Sequence, residues 1–95
     1  MINLWQKTAD EINKELAERI VRLRKRRKLS QQALAAKSGV SFGSIKRFEQ
    51  KGEISLQSFT KIAIALEVED ELEELFTDVP FNSIDELIQD NYGEK

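Results

Sequence analysis

The side chains best suited to chemistry in this chain lie together in residues 42–47. The outer side of a short helix there would carry one aromatic, one hydroxyl and two basic side chains: Phe42, Ser44, Lys46 and Arg47. Lysine and arginine can donate hydrogen bonds to guanine edges or phosphates, and an aromatic ring can contact a thymine methyl group. Gly43 lies among them and lowers helix stability by about 1 kcal/mol relative to alanine, although it can allow close approach of the backbone. A short helix with such an outer side suits the major groove of DNA.

Other kinds of chemistry lack the necessary residues. The chain has neither histidine nor cysteine among its 95 residues, which removes the commonest general base, the commonest zinc ligand and any thiolate. No glycine-rich phosphate loop is present, and the serines lack a neighbouring base. The acidic residues do not follow the spacing of a calcium-binding loop. We therefore expect no enzyme activity, no cofactor and no metal site.

Residues 29–52 supply the frame that must hold this outer surface in place. They are predicted to form two short helices joined by a tight turn, with Ser30 and Ser41 as N-caps. Gly39 and Gly52 follow the two helices and can adopt the left-handed conformation. The inward side of the pair is apolar and comprises Leu34, Ala35, Val40, Ile45 and Phe48.

The same stretch resembles the helix-turn-helix of phage repressors of the Cro/C1 (XRE-like) type. Their pattern is roughly L-S-Q-x-x-L-A-x-x-x-G-V-S-x-x-x-I-x-x-x-E-x-x-G, and this chain has the expected residue type at nearly every position. The resemblance extends from about Arg19 to Phe76. It implies an all-α, lambda-repressor-like domain that binds double-stranded DNA, and in function a sequence-specific transcriptional regulator, chiefly a homodimeric repressor.

Helices are predicted at 8–28, 31–38, 42–50, 56–66 and 70–76, with a short sixth helix at 84–91. Thr8 and Glu11 are expected to form a capping box at the start of the first helix, and an apolar stripe continues along that helix. The stripe comprises Trp5, Ala9, Ile12, Leu16, Ile20 and Leu23. The inner side of the fourth helix is expected to carry Leu56, Phe59, Ile62, Ala63 and Leu66. The chain divides into an N-terminal helical extension (1–18), the helix-turn-helix domain (19–76) and an acidic tail (77–95).

The resemblance also assigns structural roles. It implies that Arg24 pairs with Glu49 and thereby links the first helix to the recognition helix. Lys28 and Glu67 stand where the family usually has glycine.

Phosphate contacts are expected from residues near helix ends or loops: Gln31, Gln32, Arg26, Arg27 and Lys51. Cations at such positions release counterions condensed on DNA, and amide groups can add to a helix N-terminus. For Gln31 the resemblance implies a contact with the DNA backbone, and Ser41 belongs to the same surface. For the basic run at 22–28, a solvated helix face is the alternative.

Charge divides the chain unevenly. Residues 1–66 hold 14 Lys and Arg against 6 Asp and Glu, a net +8, whereas residues 67–95 hold 1 Lys against 11 Asp and Glu, a net −10. The basic part suits nucleic acid. In the acidic tail, Ile84, Leu87 and Ile88 share one helical face. This tail supports an alternative hypothesis, in which the protein is an antitoxin that binds a toxin protein through its tail and regulates its own operon.

The residues Leu72, Leu75 and Phe76 either close the core of the monomer or form a two-fold contact, because similar repressors often dimerise in this region. No apolar run approaches the ~20 residues that span a bilayer, and the first residues lack the pattern of a signal peptide. We therefore expect a cytoplasmic protein without a membrane partner.

Overall fold

The computed structural model describes residues 6–78, which form five α-helices and, within that range, no β-strand. The helices are α1 (Ala9–Arg26), α2 (Gln31–Ser38), α3 (Phe42–Lys51), α4 (Leu56–Ala65) and α5 (Glu69–Glu73). The prediction of an all-α, lambda-repressor-like domain is confirmed. The predicted sixth helix at 84–91 and Trp5 lie outside the described residues.

One core holds the helices together. α1 packs on α3, α2 packs on both α3 and α4, and α4 also packs on α5. The Phe48 and Phe59 rings meet edge to face, with their centres 5.7 Å apart. The buried apolar residues are Ala17, Ile20, Leu34, Val40, Ile45, Phe48, Ile62, Ala63, Ala65 and Leu66. Both helices of the predicted helix-turn-helix thus contribute their apolar sides to the same core.

Hydroxyl side chains begin four of the five helices. The Thr8 hydroxyl accepts from the Glu11 backbone N–H at 3.1 Å, and the Thr8 N–H donates to the Glu11 carboxylate at 2.8 Å. This is the predicted capping box. Ser55 caps α4 by accepting from the Ser58 N–H, and Ser30 and Ser41 cap α2 and α3. Each such cap contributes about 1 kcal/mol by satisfying an N–H of the first turn.

Two helices end on non-glycine residues in the left-handed conformation. Lys28 has φ of 60° after α1, and Glu67 has φ of 63° after α4. At the first end, the Lys28 N–H donates to the Lys25 carbonyl at 2.9 Å and the Leu29 N–H donates to the Arg24 carbonyl at 3.1 Å. The same pair of bonds closes α4, so both ends are Schellman motifs. The chain therefore keeps the turn that a glycine would favour and bears the strain of a side chain there.

One expectation about an apolar position was wrong. Leu56, the first residue of α4, is 78% exposed rather than buried and lies at the edge of the apolar groove that Phe48 and Phe59 also line. In the apolar stripe of α1, Ile12 and Leu16 are exposed whereas Ile20 is buried. Ala17 takes the buried position there.

The fifth helix is shorter than the predicted 70–76, since α5 covers only Glu69–Glu73. Leu75 and Phe76 follow it in irregular structure, and Phe76 has φ of 63°. Five residues cannot sustain a helix by propensity alone, so packing of this segment on α4 maintains it.

The N-terminal half of α1 nevertheless touches the helix-turn-helix. α1 is one continuous helix across the predicted boundary at residues 18 and 19. Gly52, which ends α3, is buried against it: a Cβ atom at Gly52 would lie 3.0 Å from the carbonyl carbon of Asn13. Glycine is thus required at this turn both for its φ of 74° and for the close approach of α1.

Candidate nucleic-acid interface

The turn between α2 and α3 fixes how α3 is presented. Gly39 follows α2 with φ of 77°, and its N–H donates to the Ala35 carbonyl at 2.9 Å. Val40 is buried directly after it, and the Ser41 hydroxyl then accepts from the Ser44 N–H at 3.1 Å to begin α3. The turn is therefore defined by three consecutive residues: Gly39 in the left-handed conformation, the buried Val40, and Ser41 as the N-cap of α3.

The outer side of α3 carries the side chains that the sequence assigned to base reading. Phe42, Gly43, Lys46 and Arg47 are all exposed. Lys46 Nζ lies 5.5 Å from the centre of the Phe42 ring, within the range of a cation–π contact. The Arg47 guanidinium contacts the Glu53 carboxylate at 2.5 Å, and both side chains are more than half exposed. Exposed contacts of this kind contribute about 0–1 kcal/mol, so a ligand can displace them.

The hydroxyl groups at the start of α3 are already engaged. Ser44 is half-buried, and its hydroxyl accepts from the Ser41 hydroxyl at 2.8 Å. Ser41 also serves as the cap. These two serines thus shape the first turn of α3, and Ser44 Oγ retains capacity for a further hydrogen bond.

A buried polar network connects α1, α2 and α3. Arg24 Nε donates to Glu49 Oε2 at 2.7 Å, and Arg24 Nη2 donates to Glu49 Oε1 at 3.0 Å. Arg24 Nη1 donates to the Leu29 carbonyl at 2.8 Å, so the guanidinium also holds the loop before α2. Only 10% of the Arg24 side chain and 7% of the Glu49 side chain are exposed. The ion pair implied by the resemblance is therefore present, with the two-pronged geometry that gives the strongest charge-assisted hydrogen bonds.

Gln31 belongs to this network. Its side-chain amide donates to Glu49 Oε1 at 2.8 Å and thereby links the first residue of α2 to α3. The sequence placed Gln31 at the DNA backbone and did not indicate this contact, because residues 18 positions apart meet only through the tertiary fold.

The basic residues at the end of α1 are divided between partners. Arg27 donates from Nη1 to Glu67 Oε1 at 2.6 Å, which ties the end of α1 to the turn after α4. Arg26 lies on another side of the helix, in a shallow hollow that it shares with Arg19, Arg22 and Glu71. The two residues expected at phosphates are thus beside α4 and α5 in this structure, whereas Arg24 faces α3.

Gln32 and Lys51 are exposed at the start of α2 and the end of α3. Glu53 lies in the loop after α3, and the sequence did not indicate that it pairs with Arg47. Its contact with Arg47 crosses the end of the helix, so helical periodicity gives no sign of it. A phosphate that replaced Glu53 as the partner of Arg47 would come close to the Glu53 carboxylate, and the two negative charges would repel each other.

Within residues 6–78, no group of three or more histidine, cysteine, aspartate or glutamate side chains is arranged to hold a metal ion. None of the helices described here combines the length and apolar character needed to cross a membrane.

Comparison with known proteins gives one family. A family model described as helix-turn-helix matches residues 20–72, which is more than half of the chain. The match covers α2, α3 and α4 completely, together with the C-terminal part of α1 from residue 20 and most of α5. No curated protein matches the chain.

Proposed function

Because this chain belongs to the helix-turn-helix family of DNA-binding transcriptional regulators, we propose that it is a sequence-specific repressor that acts as a homodimer. The observation that carries the proposal is the division of α3 into two sides. Ile45 and Phe48 are buried, while Phe42, Lys46 and Arg47 face outwards. A DNA-binding role also agrees with the expectation of a cytoplasmic protein.

We assign base reading to the outer side of α3. Arg47 and Lys46 can donate to guanine edges, and Phe42 can contact a thymine methyl group. Gly43 has no atom within 4 Å of the position of an added Cβ, so the protein itself does not require glycine there. We therefore assign to Gly43 the close approach of the α3 backbone to DNA.

We assign phosphate contacts chiefly to Gln32 and Lys51, which are exposed at the two ends of the helix pair. Gln31 positions α3 through Glu49 and can offer its backbone N–H to a phosphate at the same time. Arg27 must leave Glu67 before it can reach DNA, so we expect a smaller contribution from it. We also expect a smaller contribution from Arg26, because it lies in the hollow that Glu71 lines.

The dimer contact is assigned to the segment after α5. Phe76 is 82% exposed and Leu75 is more than half exposed, while Leu72 is half-buried against the monomer. Two recognition helices on one face of a duplex must lie about 34 Å apart, which implies a palindromic operator. Phe76→Asn removes the ring and keeps a residue that tolerates positive φ. We expect this variant to bind the operator as a monomer in sedimentation analysis; a wild-type protein that saturates its operator as a monomer would refute the dimer.

Arg47→Ala tests the base-reading role. Operators selected from random duplexes supply the cognate site, and affinity is measured on cognate and scrambled duplexes at several salt concentrations. We expect a loss of about 1–3 kcal/mol per subunit on the cognate site and a much smaller loss on the scrambled one. Arg22→Ala is the matched control, because it removes the same side chain from the far side of α1. Equal losses on both duplexes would make Arg47 a phosphate contact, and no loss on either would remove α3 from the interface.

Glu53→Gln gives a complementary test. This variant frees Arg47 and removes one negative charge from the surface, so we expect tighter binding to both duplexes and a steeper dependence on salt.

Gly43→Ala separates the effect of close backbone approach to DNA from the effect of helix stability. It should stabilise the fold by about 1 kcal/mol and yet weaken operator binding. Operator binding by Gly43→Ala as tight as that of the wild type would refute the assignment.

The second candidate is an antitoxin that regulates its own operon. Its support is the acidic composition of residues 77–95 together with exposed apolar side chains near α5. Such a protein would form a stable complex with the product of a neighbouring gene, and its tail would be required for that complex. Co-expression of the two genes followed by purification distinguishes this candidate from a repressor that works alone.

A further inference from the structure

An apolar groove separates the N-terminal half of α1 from α4 and the segment around α5. Leu16, Phe59, Leu72 and Leu75 line its whole length. Its larger part has a volume of about 410 Å³ and continues past Leu23, Ala63 and Val68. None of these residues belongs to the surface assigned to DNA. Exposed apolar surface of this extent normally marks a place where another segment packs.

The charge beside the groove is positive on the α1 side, whereas α5 on the other side is acidic and carries Glu69, Asp70, Glu71 and Glu73. Arg19, Arg22 and Arg26 follow one side of α1 next to Leu23, and Glu71 is the carboxylate that shares their hollow. Arg19 also lines the groove itself, and its guanidinium lies 4.0 Å from the Glu15 carboxylate in an exposed ion pair that an acidic occupant can displace. The surface therefore favours an occupant that has an apolar face and an acidic side turned towards α1.

The chain carries such a segment directly beyond the described residues. Residues 79–95 contain four carboxylates and one lysine, and Ile84, Leu87 and Ile88 fall on one helical face. Asp85 and Asp90 fall on either side of that face. A helix of this length is marginal by itself in water and gains stability only by packing on another surface.

The connection is short enough to allow this packing. Asp78 is the last described residue, only two or three residues beyond Leu75 and Phe76 at the rim of the groove. The five residues between Asp78 and Ile84 can span up to about 17 Å. The start of the acidic segment is therefore held close to the groove at a high effective concentration.

We propose that the groove lined by Leu16, Phe59, Leu72 and Leu75 is the docking site of the chain's own segment 84–91. Ile84, Leu87 and Ile88 insert between α1 and α5, and the acidic flank on the α1 side pairs with Arg19 and Arg22. Leu75 is covered in this arrangement, so the two-fold contact proposed above rests on Phe76, which also borders the groove but is 82% exposed. The tail is thereby an integral part of the domain surface, and it neutralises the basic side of α1 that faces away from α3.

The absence of cysteine from the chain allows a direct test on the full-length protein. Gln89→Cys, on the polar side of the segment, carries a nitroxide label, and nuclear magnetic resonance measures the loss of amide signal in an isotope-labelled sample. We expect strong signal loss at Leu16, Phe59 and Leu72. Leu87→Asp in the same labelled chain should restore these signals, because the charge cannot enter the groove.

Two matched comparisons decide between occupants. Arg22→Glu should also restore the signals in part, whereas Lys25→Glu, an exposed change on the same helix outside the groove, should leave the signal loss unchanged. A mixture of spin-labelled chains without isotope and isotope-labelled chains without cysteine reports only contacts between copies. Signal loss confined to the mixture would place the tail on a second copy, and signal loss that Leu87→Asp does not change would reflect the short tether alone. Either result, or no loss at the three amides, would overturn the proposal.

Discussion

Glu49→Gln is the substitution that most directly tests how the recognition helix is held. The Glu49 carboxylate accepts three hydrogen bonds, two from Arg24 and one from Gln31, in a site that is almost closed to water. Glutamine has nearly the same shape but offers one oxygen and an NH₂ group. The NH₂ group would face donors from its neighbours, and the buried Arg24 cation would lose its counter-charge.

The expected cost follows from burial. Removal of one partner from a buried pair costs about 3–5 kcal/mol, because the remaining charge stays uncompensated. Glutamine keeps one acceptor, so we expect the lower end, about 3 kcal/mol. In a domain of this size each kcal/mol lowers Tm by roughly 4–8 °C, which gives a fall of about 12–24 °C.

Thermal and urea denaturation followed by circular dichroism measure this loss. Glu67→Gln is the matched control, because Glu67 forms an ion pair with Arg27 in which 39% of the arginine and 67% of the glutamate side chain are exposed. Such a pair contributes at most about 1 kcal/mol. The double variant Arg24→Met with Glu49→Met should recover part of the loss, since it removes both charges. A loss from Glu49→Gln no larger than that from Glu67→Gln would show that the network does not hold α3.

Two further predictions concern backbone conformation. Lys28→Gly should stabilise the protein by about 0.5–1 kcal/mol in urea denaturation, because the left-handed strain relieved exceeds the entropy cost of glycine. Lys25→Gly within α1 should instead cost about 1 kcal/mol, and a loss at both positions would argue against strain at Lys28. Gly52→Ala should cost more than Gly39→Ala, because both glycines have positive φ but only a Cβ at Gly52 would press on the Asn13 backbone. Equal losses would show that α1 yields easily at this contact.

The local elements of this fold were predictable because their determinants are close in sequence. Ser30, Gly39 and Ser41 set the start, end and restart of two helices through hydrogen bonds that reach at most four residues. The helical spacing of Ile45 and Phe48 identified the inner side of α3, and the opposite side was therefore expected to face outwards. The all-α class and the orientation of the candidate base-reading surface therefore follow from the sequence.

Contacts between distant residues could not be assigned in the same way. The sequence shows that Gln31 and Arg27 are polar and near helix ends, but the fold turns Gln31 towards Glu49 and Arg27 towards Glu67. The Arg24–Glu49 pair was expected only because the resemblance implied it. A charged side chain can meet any opposite charge within reach, and which one it meets depends on how the helices pack.

Apolar spacing likewise marks one side of a helix but not how far the neighbouring helices cover it. Ile12 and Leu16 follow the same stripe as the buried Ile20, yet they remain exposed where α1 extends along the edge of the domain. By itself, the sequence determined where the helices are capped and which side of α3 faces inwards. The tertiary structure decided which charges are paired and which apolar side chains line an open groove, because burial depends on the three-dimensional packing of segments that are far apart in the chain.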